Sequence, residues 1–283
     1  MTVEHIADTA AWVAYFRARE SERADALFKD PFARRLAGAL GEALAARLGQ
    51  ADLIERVMAV RTVVFDELIT ECVTRRGVNL VVNLGAGFDS RPWRLPLPRT
   101  TLWVDVDLPQ VLTRKQSLLA GMLPRCDYRA ISADLADEGV INDIPSRLNY
   151  ERRTALVVSE GLLVYMSPSR VMALARALHR NAGFRWWLTD LSGPRALAVL
   201  SAVWEPVLGS DGIKFQFAPA ESSAFFEPLG WHEEIFRSAG EEGRRLRRLP
   251  PLPWLTRMLL WLSSPSHREE FRRMAGMLLL RRE

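Results

Sequence analysis

The stretch that most constrains the fold lies between residues 78 and 95. Residues 78–84 form an apolar, β-branched run with few polar breaks, which is typical of a strand buried on both faces of a parallel sheet. Gly85 and Gly87 follow at once, and residues without Cβ atoms at a strand end let a ligand approach the backbone closely. The sequence therefore predicts an open α/β sheet with a binding crevice at the carboxyl end of this strand.

An acid follows the glycine turn at a distance that suits a nucleoside-binding site. About 18 residues after Gly87, the apolar run 101–104 ends in Asp105. A carboxylate at the end of the second strand is placed to accept hydrogen bonds from both hydroxyls of a ribose. We therefore expect Asp105 to bind the ribose of a nucleoside-containing cofactor.

The glycine turn lacks the third glycine of a dinucleotide-binding fingerprint. That glycine lets the next helix pack closely with its N-terminus facing a pyrophosphate, but this position is Ser90. Asp89 also places a negative charge where a phosphate would lie. An acid suits an ammonium group instead, and S-adenosyl-L-methionine has an ammonium, a sulfonium and a ribose without phosphate. The turn therefore favours this cofactor, although a glycine turn by itself is often only geometric.

Acids also follow the next two predicted strands. Strand 128–132 precedes Asp134 and Leu135, which could hold an adenine ring, and strand 154–159 precedes Glu160. Each acid alone is as easily a helix cap or a solvated loop residue. Because the carboxyl ends of parallel strands share one edge of the sheet, the ordered set supports a single cofactor site.

The chain closely resembles the leucine carboxyl methyltransferase superfamily in five segments. They are residues 81–95 (VVNLGAGFDSRPWRL), 104–109 (VDVDLP), 111–115 (VLTRK), 133–135 (ADL) and 160–166 (EGLLVYM). Residues 8–31 resemble the bacterial branch, which includes tetracenomycin-type polyketide O-methyltransferases and many uncharacterised methyltransferases. The resemblance covers roughly residues 8–190 and fades beyond Pro194.

The resemblance implies roles for individual residues around S-adenosyl-L-methionine. Arg61 would pair with the methionyl carboxylate, because a guanidinium binds a carboxylate through two parallel hydrogen bonds. Arg17 is the candidate for a second basic contact to that carboxylate, with Arg19 and Lys29 nearby. Gly85 and Gly87 would line the methionyl moiety, Asp105 would bind the ribose, and Asp134 and Leu135 would hold the adenine. Glu160 would stand beside the sulfonium or the methionyl amine, and Tyr165 would line the site. The further implied cofactor contacts are Ala86, Asp89, Val106 and Gly161.

The hydrophobic pattern agrees with a Rossmann-like class I methyltransferase fold in a single domain of 283 residues. Residues 1–77 are predicted to form an N-terminal helical layer, 78–192 the cofactor-binding core, and 193–283 lid helices with the last two strands. The sheet is expected to be seven-stranded, doubly wound and mostly parallel, with an antiparallel final strand. Predicted strands are 78–84, 101–105, 128–132, 154–159, 184–190, 231–237 and 276–281; predicted helices are 9–19, 31–48, 52–75 and 168–181, with helical additions in 193–228 and 249–275.

Cysteine usage and the first residues of the sequence point to a cytoplasmic protein. Cys72 and Cys126 are too few for a disulfide framework and lack metal-ligand spacing, so we expect buried thiols and no metal site. The first eight residues carry acids where a secretory signal would be basic. Residues 254–262 are apolar but too short to span a bilayer, and we expect an amphipathic helix and no membrane partner.

The acceptor determines whether the reaction needs a base. A carboxylate acceptor needs none, whereas a phenol or enol acceptor would gain from a general base. His232 is a weak candidate base, since a lone histidine is more often structural, and no catalytic residue is assigned. Aromatic residues are concentrated after residue 186, and some of Phe215, Phe217, Phe225 and Phe226 could line an apolar acceptor pocket. We expect O-methylation of a small molecule such as a polyketide-like metabolite.

Three other functions remain open from the sequence. Arginines are concentrated near the C-terminus and could contact nucleic acid, but the chain has no RNA-recognition or zinc motif, so a nucleic-acid partner is not expected. A protein C-terminal carboxylate is an alternative acceptor. A protein of this fold could also bind the cofactor without catalysis. The sequence makes no prediction of oligomeric state.

Overall fold

The computed structural model describes residues 9–47, 51–135, 137, 139, 153–208, 214–251 and 253–283. A seven-stranded sheet in the order β3-β2-β1-β4-β5-β7-β6 forms its centre. Among these described strands, β7 runs antiparallel to both of its neighbours and the others run parallel to one another. The strands are β1 (Leu80–Leu84), β2 (Leu102–Asp107), β3 (Asp127–Ser132), β4 (Ala155–Ser159), β5 (Phe184–Ser192), β6 (Trp231–Ser238) and β7 (Ala275–Arg282).

Helices cover both faces of the sheet and its carboxyl edge. The described α-helices are α1 (Thr9–Glu22), α2 (Ala33–Ala45), α3 (Ala51–Arg75), α4 (Arg91–Arg94), α5 (Pro109–Leu118), α6 (Pro168–His179), α7 (Pro194–Leu208), α8 (Ala239–Arg245), α9 (Trp254–Leu262) and α10 (Pro265–Arg272). Two 3₁₀ segments, Leu163–Tyr165 and Ser222–Leu229, join them. Within the described ranges, no helix has both the length and the apolar character needed to cross a membrane.

The central strands β1, β2 and β4 were predictable because both faces of the sheet are buried there. Leu80 and Val82 face a core that includes Leu174 of α6, while Val81 faces a second core that includes Phe65 of α3. A strand with apolar neighbours on both sides is apolar at every position, which gives the continuous runs seen in the sequence. The predicted fold class is confirmed, and each predicted strand agrees with the structure to within two residues at either end.

Two boundaries differ from the prediction in ways that matter for function. Strand β2 continues two residues past the predicted end at Asp105 and ends at Asp107. Helix α2 begins at Ala33 and not at Pro31, although Asp30 Oδ1 still accepts a hydrogen bond from the Phe32 N–H at 3.1 Å. The Asp30 carboxylate accepts hydrogen bonds from Arg17 Nε at 2.9 Å and from the Ser90 hydroxyl at 2.5 Å.

Helix α8 was not predicted, whereas the start of α6 was. The Ser167 hydroxyl accepts a hydrogen bond from the backbone N–H of Arg170, so it caps α6 as expected.

Cys72 and Cys126 are both buried, as expected, and burial raises the pKa of the Cys72 thiol to about 12. Neither thiol is therefore suited to act as a nucleophile near neutral pH.

A buried ion pair joins β2, β3 and α5. Lys115 Nζ donates to Asp105 Oδ2 at 2.6 Å, and neither side chain is exposed to solvent. The Asp105 carboxylate also accepts hydrogen bonds from the Tyr128 hydroxyl and from Trp103 Nε1, both at 2.8 Å. Asn83 Nδ2 is a fourth donor at 3.3 Å, so this carboxylate has the compensation that a buried charge requires.

We expect Lys115→Met to destabilise the fold by about 3–5 kcal/mol, because it leaves the Asp105 carboxylate buried without a countercharge. Equilibrium urea unfolding measures this change. Lys214→Met is the matched control, since Lys214 is exposed and its replacement should change stability by less than about 0.5 kcal/mol. Equal stabilities of the two variants would contradict a structural role for the pair.

Candidate active site

The carboxyl ends of β1, β2, β4 and β5 open into a cavity of about 1210 Å³. Its polar end is formed by the turns that follow these strands, and its apolar end by side chains of α1, α3, α7, α9 and residues near them. A cavity at this edge of a parallel sheet is where this architecture places its ligands.

The glycine turn after β1 brings bare backbone to the cavity. Gly85 and Gly87 have φ values of 64° and 47°, a conformation that favours glycine. A Cβ atom at Gly85 would lie 3.0 Å from Leu162 Cδ1, and one at Gly87 would lie 3.2 Å from the Ala10 Cβ. Larger residues would therefore both strain the turn and narrow the space beside it. Ala86 lines the cavity between the two glycines.

Asp107, at the end of β2, holds this turn and lines the cavity. One carboxylate oxygen accepts a hydrogen bond from the Gly87 N–H at 2.6 Å, and the other accepts one from the Leu108 N–H at 2.7 Å. Burial raises the pKa of Asp107 above its ordinary value, and the two backbone N–H donors oppose this effect only in part. Asp107 is thus the acid that β2 presents to a ligand.

The predicted ribose contacts Asp105 and Val106 do not line this cavity. Both side chains are fully buried, Asp105 in the ion pair with Lys115 and Val106 in the apolar core. The reason is the length of β2: since the strand ends at Asp107, Asp105 lies inside the sheet and two residues short of its edge. The acid of β2 that lines the cavity is therefore Asp107 and not Asp105.

Arg61, from α3, lies between two acids at the ends of β4 and β5. Its Nε is 2.9 Å from Glu160 Oε1, and its Nη1 donates to Asp190 Oδ2 at 3.0 Å. The Gly161 N–H donates to the other Asp190 oxygen at 2.7 Å. Gly161 has φ 64°, and a Cβ there would lie 3.0 Å from Arg61 Nη1. A side chain at residue 161 would therefore displace the guanidinium.

Glu160 stays ionised although it is buried. Burial alone would raise the pKa of its carboxyl group, but Arg91 and Arg61 outweigh this effect and hold the pKa below its ordinary value. Arg91 Nη1 donates to Glu160 Oε2 at 2.7 Å and to Asp89 Oδ2 at 2.8 Å. Asp89 lines the cavity, at the position predicted from the sequence. Its carboxylate is already engaged by Arg91 and by Asn83 Nδ2.

The other predicted contacts divide between the cavity and the surface. Arg17 lines the cavity, but its side chain is buried and donates to Asp30 and, at 2.6 Å, to the Phe88 carbonyl. Its nearby alternatives, Arg19 and Lys29, do not line the cavity. The remaining predicted residues that line it are Gly161, Asp134, Leu135 and Tyr165.

The candidate base His232 does not line the cavity. It pairs with Arg281 near the start of β6, whereas Ser238 at the other end of that strand lines the cavity. Six residues of β-strand separate the two by roughly 20 Å. His232 is partly exposed and contacts Glu227 and Glu283, and its hydrogen bonds with these acids raise its pKa. A histidine there cannot reach the cavity.

The aromatic residues expected around an acceptor are only partly in the cavity. Phe215 and Trp204 line its apolar end. Phe217 and Phe226 are buried in the core, where their rings pack edge to face with Phe225. The sequence could not separate these two groups, because both are apolar residues in poorly patterned segments.

Asp107 and Asp190 are two acids at the polar end of the cavity that were not predicted from the sequence. Asp107 had a usable signal: it follows Asp105 by two residues, so it lies on the same face of β2 and nearer the edge, directly before Leu108 and Pro109. Asp190 closes the predicted strand 184–190, and its position matched that of the other strand-end acids. The apolar run 101–104 ends directly before Asp105, so the end of the strand was predicted two residues too early.

Sequence comparison places the chain among known proteins. The model of the family described as "Leucine carboxyl methyltransferase" matches residues 10–179. The chain belongs to the leucine carboxyl methyltransferase family. A protein of Parafrankia sp. is 36% identical over 213 residues, which cover 71% of this chain and 68% of the relative, and one of Streptomyces coelicolor is 33% identical over 250 residues, covering 79% and 80%. Both are named "Putative S-adenosyl-L-methionine-dependent methyltransferase".

Solved structures agree with this fold. A DUF574 family protein from Streptomyces avermitilis superposes with a TM-score of 0.61 at 16% identity and covers 97% of each chain. A protein from Thermobifida fusca described as a putative methyltransferase has a TM-score of 0.59 at 14% identity. The superposition covers 97% of this chain and 94% of the Thermobifida fusca chain. At these identities the likeness concerns the fold. Family membership confirms the predicted class, an S-adenosyl-L-methionine-dependent methyltransferase.

The residues at the polar end of the cavity fit this cofactor. Arg61 can pair with a carboxylate, Glu160 and Asp190 with an ammonium group, and Asp107 with ribose hydroxyls. The glycine turn at residues 85–87 leaves backbone exposed where a Cβ would reduce the space. The acids at this end also disfavour a phosphate-containing cofactor.

We expect Asp107→Ala to weaken binding of S-adenosylhomocysteine by tenfold or more, which corresponds to about 1.4 kcal/mol for each factor of ten. The physical reason is the loss of the carboxylate at the ribose position and of the acceptor for the Gly87 N–H. Isothermal titration calorimetry measures the affinity. Asp127→Ala serves as the control, because Asp127 is an exposed residue at the other end of β3, and unchanged affinity of the Asp107 variant would refute the assignment.

Arg61→Met should weaken binding of S-adenosylhomocysteine but leave that of 5′-methylthioadenosine within about twofold. The second ligand lacks the amino acid moiety, so it has no carboxylate for Arg61, and a charged hydrogen-bonded pair is worth about 1.5–3 kcal/mol. Calorimetry with both ligands separates this loss from general damage to the site. An equal loss for both ligands would show that Arg61 acts only as a structural residue.

Proposed function

We propose that this methyltransferase transfers the methyl group of S-adenosyl-L-methionine to an oxygen of a small, largely apolar organic acceptor, and that this oxygen belongs to a carboxylate. One observation carries the proposal: a single cavity joins the polar cofactor end to an apolar end, and no histidine occurs among its described lining residues. A carboxylate acceptor is already a nucleophile and needs no base.

The cofactor would be held by residues of four successive strand ends. Arg61 would bind the methionyl carboxylate, with Arg17 behind the glycine turn, and Glu160 and Asp190 would face the methionyl amine. Asp107 would accept the ribose hydroxyls, and Asp134 with Leu135 would hold the adenine. These assignments rest on the position of each side chain along the cavity wall.

The ionisable groups near the predicted donor position are poorly suited to take a proton from a phenol. Glu160 is held ionised between Arg61 and Arg91 with its pKa lowered. Burial raises the pKa of Tyr165 to about 12, so it remains a neutral phenol near neutral pH. General-base catalysis works best when the pKa of the base lies near the operating pH, and neither residue meets that condition.

Catalysis would then depend on alignment and on exclusion of water. The bound cofactor supplies an activated methyl group on its sulfonium. Apolar side chains such as Trp204, Phe215 and Val203 would keep water from the acceptor, and orientation of two reactants can contribute up to about 7–11 kcal/mol in well-aligned cases. The same apolar walls would suit an aromatic or polyketide-like acceptor, and a phenol or enol with a low pKa remains the second candidate.

The arginines near the C-terminus give little support to a nucleic-acid substrate. Several of them are engaged with acids of the chain itself: Arg245 with Glu242 and Glu67, Arg248 with Glu20 and Asp25, Arg272 with Glu269, and Arg273 with Glu233. Guanidinium groups that already pair with carboxylates contribute less to binding phosphates.

The pH dependence of turnover tests the proposal. With a carboxylate acceptor, kcat/KM should be constant between about pH 6 and 9, because carboxylates ionise near pH 4 and no base titrates in that range. Release of S-adenosylhomocysteine measures the rate, and His232→Ala should retain wild-type activity within about twofold. A rising limb with an apparent pKa near 6–7 would reveal a general base and contradict the proposal.

A further inference from the structure

The cavity extends beyond the cofactor end into a lateral lobe. We use this name for the space lined by Ser238, Gly240, Arg244, Leu249, Leu260 and Phe271. The lobe lies where β6 ends and α8 begins, with α9 and α10 on its other side. No residue predicted from the sequence as a site residue lies in it.

Arg244 stands out among the arginines of this region. Within the described part of the chain its guanidinium makes no ion pair and no hydrogen bond, although it lines the cavity and is partly buried. Its sequence neighbour Arg245 pairs with both Glu67 and Glu242. An arginine without a partner inside a cavity retains its hydrogen-bond donors for a ligand.

The local backbone leaves room for this guanidinium. A Cβ atom at Gly240, one helical turn before Arg244, would lie 3.5 Å from Arg244 Nη1 and 3.9 Å from the Ser238 hydroxyl oxygen. The guanidinium therefore lies over Gly240 and near Ser238, at the carboxyl end of β6. A Cβ atom at residue 240 would be in ordinary van der Waals contact with the guanidinium.

The other charged groups of the lobe already have partners. Glu269 pairs with Arg272 and Arg273, and Glu241 lies 3.7 Å from Arg272. Arg268 donates through Nη1 to the carbonyl oxygens of Leu260, Trp261 and Ser263 at the end of α9. Arg244 is therefore the guanidinium of the lobe that has no hydrogen-bond partner among the described residues. The apolar walls, Leu249, Leu260 and Phe271, select against a strongly hydrated ligand.

We propose that Arg244 binds an anionic group of the methyl acceptor, which is an organic acid with an apolar body. This inference rests on the proposed function and names the substrate class of the same cavity. Leu191, Gly276 and Ser238 lie in register on β5, β7 and β6. Because adjacent strands are about 4.8 Å apart, Ser238 lies roughly 10 Å across the sheet from the end of β5.

Because of this separation, the methylated oxygen and the anionic group of the acceptor have different roles. The Arg61, Glu160 and Asp190 cluster marks the end of β5 as the methionyl position. The group that Arg244 binds is therefore an anchor and not the oxygen that is methylated. A guanidinium that engages both oxygens of a carboxylate would also reduce their nucleophilicity.

The test uses 2-naphthoate and its uncharged analogue 2-naphthamide as probes. Each is titrated by calorimetry into the full-length protein, both with and without saturating S-adenosylhomocysteine. We expect the wild type to bind 2-naphthoate at least tenfold more tightly than 2-naphthamide. Arg244→Gln should abolish this difference by weakening naphthoate binding alone, and Arg244→Lys should restore part of it.

Arg170→Gln is the matched control. Arg170 also lines the cavity with a guanidinium that has no partner among the described residues, but it lies in the first turn of α6, away from the lobe. This variant should bind naphthoate like the wild type. Equal naphthoate affinity of Arg244→Gln and the wild type, or no preference of the wild type for the acid, would overturn the proposal.

Failure of the proposed function would give a different result. In that case kcat/KM would show a rising limb with an apparent pKa near 6–7, while the naphthoate titrations would still show whether Arg244 binds the acid. Unchanged binding of 2-naphthamide by Arg244→Gln confirms that the variant is folded and that its cavity is intact.

Discussion

A row of alternating ion pairs along the carboxyl edge of the sheet holds the cofactor end of the cavity together. In order, its members are Asp190, Arg61, Glu160, Arg91, Asp66, Arg94, Asp30 and Arg17. The row connects β5, the turn after β4, α3, α4 and α1. Buried charges are costly unless paired, so each member depends on its neighbours. Because the methionyl moiety carries one positive and one negative charge, it can exchange partners with Arg61 and Glu160 without leaving a net buried charge.

Much of the fold and of the donor site followed from the sequence because both depend on the same strands. The run from Val78 to Leu84 is apolar on both faces. The end of such a run marks the carboxyl edge of the sheet, where the site lies. The error at Asp105 shows the limit of this reasoning. Its carboxylate is compensated by Lys115 of α5 and Tyr128 of β3, and a pairing between different elements leaves no periodic signal in any one of them. His232 stands at the start of β6, and the start of a parallel strand lies at the amino edge of the sheet, so the predicted strand directions alone place it away from the cavity.

The acceptor side was harder to predict for a different reason. Phe215 lines the cavity while Phe217, two residues later, is buried in the core, and both are equally apolar in the sequence. In irregular segments no helical or strand period relates sequence spacing to direction. The arginines show the same limit: Arg244 and Arg245 are adjacent, yet one lines the cavity and the other is held by Glu67 and Glu242.

Charge at the far end of an apolar cavity has a consequence for selectivity. Apolar walls discriminate weakly, because one methylene is worth only about 1–3 kcal/mol, so Leu249, Leu260 and Phe271 would admit many compounds of similar size. A polar group that a ligand must satisfy discriminates more strongly, since a ligand without the matching group leaves it dehydrated and unpaired. Arg244 would therefore reject neutral analogues that fit the apolar walls equally well. In the proposed arrangement the strand-end residues would determine the donor, and Arg244 of α8 would contribute most of the selectivity for the acceptor.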